Sequence, residues 1–150
     1  MAHVEKSMLV GYPAEKMFDL VNAVDRYPEF LPWCGGVEVV EESEQTIQAA
    51  LKIDYKGIRQ RFSTRNRIDR PLGNKPGSIV MSLVDGPFRA LDGQWNFQPL
   101  GDGACKIEFT LRYEFSSKLL GKVFGPVFNY IANSFVDAFV KRADFLYGHG

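Results

Sequence analysis

The sequence predicts an α+β domain in which a curved antiparallel sheet of about six to seven strands wraps around one long C-terminal helix. Three observations predict it. From Val37 to Phe115 apolar and polar residues alternate with a period of two, and after that Phe124, Phe128, Ile131, Phe135 and Phe139 recur at helical spacing. The 150 residues contain no internal repeat and no linker-like stretch, which suits one domain over residues 1–150.

The first element is a short strand, Val4 to Val10, stopped by Gly11-Tyr12-Pro13. From Ala14 the period changes: Met17, Leu20, Val21 and Val24 recur at three and four, with Glu15 in the first turn, so an amphipathic helix follows. The segment from Asp25 to Gly36 holds two prolines and two adjacent glycines, which predicts a loop or short helical turns. It is rich in aromatics for a segment facing only water.

Ile47, Ala49, Leu51, Ile53 and Tyr55 then alternate with Gln48, Lys52 and Asp54, and Cys105 to Phe115 repeats the pattern. Turn signals at Lys56-Gly57, Pro71 to Gly77, Asp85-Gly86-Pro87 and Gly101-Asp102-Gly103 separate about six consecutive strands, an antiparallel meander. The tail is a long amphipathic helix that Gly125-Pro126 is expected to kink or restart. One dry sheet face needs a cover, and this helix is long enough to supply it. The result is a helix-grip arrangement, which tends to leave space between a concave sheet and its helix.

Leu51, Tyr55, Phe62, Met81, Trp95, Phe97, Phe109, Tyr113, Phe128, Ile131 and Phe135 are the candidate lining of that space. Periodicity alone leaves two readings open, a filled core and a ligand tunnel.

Composition narrows the chemistry. Eighteen Lys+Arg balance eighteen Asp+Glu, no run of about 18 apolar residues exists to span a membrane, and the start lacks a basic-then-apolar leader. A cytoplasmic protein is the expectation. Cys34 and Cys105 lie far apart without metal-ligand spacing, and His3 and His149 sit at the termini, so neither a metal site nor a His-based catalytic centre is expected. The balanced charge hides a segregation: residues 1–54 hold four basic and ten acidic side chains, residues 55–75 seven basic and one acidic.

That basic stretch contains Arg59, Arg61, Arg65 and Arg67, all of one parity, opposite Ile58, Gln60, Phe62, Thr64, Asn66 and Ile68. Four guanidinium groups on one outward stripe suit phosphates, either of ribosomal RNA or of anionic headgroups. The competing reading is a solvated face neutralised by cross-strand acids such as Asp54, Glu108 and Glu114.

The stretch YPEFLPWC at Tyr27 to Cys34, together with Asn133 to Phe139 and Lys141-Arg142-Ala143, resembles the coenzyme Q-binding branch of the START-like superfamily. That branch also contains the bacterial ribosome-association toxin and is often labelled polyketide cyclase/dehydrase-like. The resemblance implies a START-like fold whose tunnel holds a polyisoprenoid quinone such as ubiquinone, with no catalytic residues and no cofactor beyond that ligand. Gln60, Tyr55 and Tyr113 are the candidate hydrogen-bond partners of the quinone head. Phe30 and Trp33 either dip into a membrane surface beside the tunnel mouth, giving contact with the inner membrane, or plug the open end of the sheet.

Three functions follow from the resemblance: ubiquinone binding in support of respiration or quinone synthesis; association with the large (50S) ribosomal subunit that blocks subunit joining; and, weakest for want of an internal histidine, a cyclase or aromatase activity.

Overall fold

A computed structural model describes residues 1–148; His149 lies outside the described residues. Strand β1 (Ala2–Val10) leads into helix α1 (Ala14–Asn22), a 3₁₀ turn (Val24–Glu29), and then strands β2 (Cys34–Glu42), β3 (Thr46–Tyr55), β4 (Ile58–Asp69), β5 (Gly77–Asp85), β6 (Phe88–Pro99) and β7 (Cys105–Phe115). Helix α2 (Lys118–Tyr147) is the last element among the described residues.

All seven strands form one antiparallel sheet in the order β1-β7-β6-β5-β4-β3-β2. The meander from β2 to β7 needs only short connections, and β1 adds to the free side of β7 with Val4 opposite Leu111. The β5–β6 turn closes through Gly86 at φ 143°, where an added Cβ would lie 2.6 Å from the Cβ of Phe62. Only glycine allows the turn to press that closely on β4.

Helix α2 lies across the concave face because its Phe124–Phe128–Ile131–Phe135–Phe139 stripe and the inward parity of the strands are both apolar. Trp95 packs on Phe109 at 4.6 Å and edge-on to Phe139 at 5.4 Å, and Phe128 meets Tyr113 at 4.7 Å and Phe88 at 4.9 Å. Ser117 caps the helix by accepting the Leu120 N–H.

Two local expectations differ from the structure. Of the two outcomes expected at Gly125-Pro126, a restart does not occur: α2 runs unbroken from Lys118 to Tyr147. Pro126 faces solvent, as does Lys122 one turn earlier, so water can satisfy the carbonyl that loses its partner. At the other end of the chain, α1 stops at Asn22; Val24 instead begins the 3₁₀ turn, which carries Tyr27 back over the sheet.

Candidate functional site: an apolar cavity and an arginine ladder

Between the concave sheet, the 3₁₀ turn and α2 lies a cavity of about 60 Å³. Seven of the expected lining residues meet there: Leu51, Phe62, Met81, Phe109, Phe128, Ile131 and Phe135. Five do not. Trp95 and Phe97, stacked at 6.0 Å, are sealed in the core, with Phe97 edge-on to Phe18 of α1. Tyr113 is buried among Phe88, Phe115 and Phe128, and desolvation raises the pKa of its phenol. Tyr55 stacks on Tyr130 of α2 at 5.7 Å. Gln60 borders a shallow surface depression with Lys52, Asp54, Arg59 and Arg61. Correct parity placed all five on the inner face, but the space is local to the middle of the sheet, so both phenols and Gln60 lie away from any head group held within it.

The cavity has polar residues of another kind. Thr64 and Asn66, both buried, lie among its walls, and the Thr64 hydroxyl donates to Asn66 Oδ1 at 3.0 Å. The signal was present in the sequence, since both share the inward parity of Phe62 and are polar on a dry face. Tyr27 also lines the space, with its hydroxyl donating to the Val21 carbonyl. Burial foremost, and the nearby Cys34 second, hold the Tyr27 phenol far above its ordinary range, so it stays neutral.

The aromatic segment after Tyr27 divides. Trp33 is 2% exposed and leans on Phe135 at 5.9 Å, so its ring is not offered to a membrane. Phe30 is half-buried and borders an open groove of about 450 Å³ with Tyr130, Lys141, Arg142 and Phe145.

On the convex face the four arginines of β4 do share one exposed stripe. Arg59 pairs with Asp54 at 3.6 Å, Arg61 with Glu38 at 3.6 Å and Asp85 at 4.0 Å, and Arg65 with Glu41 at 3.7 Å, while Arg65 Nη2 donates to Gln48 at 2.8 Å. Arg67 makes no ion pair among the described residues. Of the acids expected to neutralise the stripe, Asp54 does so; Glu108 and Glu114 sit on β7, three strands from β4, and Glu114 pairs with Arg89. Among the described residues no cluster of His, Cys, Asp and Glu is arranged to hold a metal ion, and no helix is long and apolar enough to cross a membrane.

Residues 10–140 match the family described as polyketide cyclase / dehydrase and lipid transport. The chain is 48% identical over 149 residues to the "Ribosome association toxin RatA" of Vibrio cholerae, covering 99% of each. It is 27% identical to the mitochondrial "Coenzyme Q-binding protein COQ10 homolog B" of Xenopus laevis, covering 95% of this chain and 58% of that one. Among solved structures, the Zhui aromatase/cyclase of a Streptomyces species superposes with a TM-score of 0.80 over 99% of this chain and 98% of its own, at 17% identity, a likeness of fold.

Proposed function

The chain belongs to the polyketide cyclase / dehydrase and lipid transport family, and on that premise we propose that it associates with the ribosome, through the large subunit, without making or breaking a bond. The observation that carries this reading is the near end-to-end identity of 48% with a ribosome association toxin.

Physical features agree with it. The arginine ladder is built from exposed pairs, with side chains on both sides between 46% and 83% accessible where Arg59 and Arg61 of β4 meet Asp54 of β3, Glu38 of β2 and Asp85 of β5. Such pairs contribute about 0–1 kcal/mol each, so phosphates can displace the carboxylates at little cost, and Arg67 has none to displace among the described residues. The cavity wall offers acid–base chemistry one ionisable group, the Tyr27 phenol, which burial keeps protonated.

Cosedimentation with ribosomal subunits tests the proposal. Binding to the large subunit is expected at low salt, with a loss of at least tenfold between about 50 and 200 mM salt if several phosphates are contacted. Arg61→Glu/Arg65→Glu should abolish it. No cosedimentation at low salt overturns the function; binding indifferent to both salt and the double reversal overturns the surface.

A second reading, quinone binding, is favoured by the apolar lining with its single polar pair, Thr64 and Asn66, and by the similarity to a coenzyme Q-binding protein. Volume weighs against it. A cavity of about 150 Å³ is what benzene occupies, and the space here is about 60 Å³. One isoprene unit therefore requires α2 or the 3₁₀ turn to move outward. Organic extraction of the purified protein followed by mass spectrometry decides: a stoichiometric quinone establishes this reading, and its absence removes it.

A further inference from the structure

From Phe115 to Val136 the chain contains Lys118 and Lys122 and no carboxylate. These residues form most of the first five turns of α2, and the helix repeat places Leu119, Val123, Pro126 and Tyr130 in one narrow stripe directly opposite the buried phenylalanines. All four face solvent, Leu119 at 71%, Val123 at 53% and Tyr130 at 48% exposure. The same angular stripe continues into the C-terminal half of the helix as Asp137, Lys141 and Asp144. One helix face therefore changes, midway along its length, from the charged character expected beside water to an apolar one.

Over this apolar half of the helix the charge is of one sign, the first carboxylate being Asp137 in the groove that Tyr130 borders. Lys118 and Lys122 flank the stripe, and at its far end Tyr130 stacks on Tyr55, whose ring lies 5.4 Å from the Lys56 ammonium. We propose that this half of α2 is a docking face for an anionic lipid surface, with Leu119 and Val123 entering the headgroup–acyl boundary, Tyr130 at the polar level and the three lysines against acidic headgroups. Charge complementarity selects the occupant: cations without acids suit an anionic layer. Exposed aliphatics on a single convex stripe suit a bilayer boundary, whereas a polyanion such as RNA makes no use of them. The face is separate from the arginines of β4, so it stands or falls independently of ribosome association.

Flotation of the full chain with phosphatidylcholine vesicles, with and without phosphatidylglycerol, is the test. Binding is expected to the phosphatidylglycerol-containing vesicles alone. Lys118→Gln/Lys122→Gln should weaken it by about fivefold per lysine, and Leu119→Ser/Val123→Ser should weaken it at least as much, with unchanged circular dichroism in both. Failure to float with acidic vesicles overturns the proposal. So does binding that survives Leu119→Ser/Val123→Ser but is lost in the lysine variant, because that pattern marks a surface for polyanions.

Discussion

Arg142 of α2 donates through Nη2 to Glu29 Oε1 at 2.8 Å, joining residues 113 apart in sequence and fixing the end of the 3₁₀ turn to the covering helix. The guanidinium lies 5.1 Å from the ring of Phe30 and 5.3 Å from that of Phe145, and the Arg142 side chain is only 16% exposed against 43% for Glu29. The two partners should therefore respond unequally to removal. Glu29→Ala loses two pairs, this one and the more exposed one with Arg26 at 3.2 Å, together worth about 0.5–1 kcal/mol. Arg142→Ala also loses the ring contacts and the packing of its stem, about 2–3 kcal/mol in all. Urea midpoints of the two variants give the order directly, and equal midpoints would show that the rings contribute nothing.

The Thr64–Asn66 pair predicts a sign that depends on how many partners are removed. Thr64→Val leaves the Asn66 carbonyl without its donor inside an apolar wall, a cost of about 1–3 kcal/mol. Thr64→Val/Asn66→Leu removes both polar groups at nearly constant volume and should restore wild-type stability or exceed it. Thermal unfolding of the single and double variants makes the comparison. A double variant less stable than Thr64→Val would mean that the pair is satisfied by more than itself.

Much of the scaffold was legible because its signals are local. Alternation along Ile47–Tyr55 and Cys105–Phe115 marked β3 and β7, and the phenylalanine stripe marked α2, since burial on one face imposes a period on the residues themselves. What depends on neighbours was not legible. Asp85 reaches the arginines from β5, the neighbour of β4, and Glu38 and Glu41 reach them from β2, one strand beyond β3, a relation set by strand order, and no property of Glu108 or Glu114 announces that they are three strands away. The cavity was legible as a face and not as a volume. Trp95 and Phe97 have the same parity as Phe109, yet only Phe109 borders the space, because the 3₁₀ turn and α1 fill the rest and Tyr27 sits in a segment with no period to reveal it.

Burial makes stability sensitive to alkali. Cys105 is fully buried, and desolvation pushes its thiol up to about 11 from an ordinary 9.0. With the folded-state value the higher one, the unfolded chain releases the proton first. The stabilising contribution is thus complete below pH 9.0 and is lost as pH rises toward about 11. Cys34 and Tyr113 are raised in the same direction by burial. Cys105→Ala should therefore flatten, without abolishing, the fall in unfolding free energy across that window; a variant as steep as the wild type would place the alkaline sensitivity elsewhere.

The arginine ladder separates stability from binding. Its ion pairs join exposed partners, and Arg65 takes its shortest contact, 2.8 Å, from the neutral Gln48 rather than from Glu41 at 3.7 Å. Replacing Arg61 and Arg65 by glutamine should then change stability by less than about 1 kcal/mol in total. Ribosome association, if it runs through this stripe, should lose two charge contacts, so that the slope of log affinity against log salt becomes shallower by about 1.5–2. The complementary change removes acids: Glu38→Gln/Glu41→Gln frees the arginines from their competing carboxylates and should tighten association at moderate salt. Tightening in the acid-to-amide variant and weakening in the arginine variant, both at near-constant melting temperature, would assign the convex face to the ribosome; weakening in both would mean that the ordered ladder itself, and not its positive charge, is what the partner recognises.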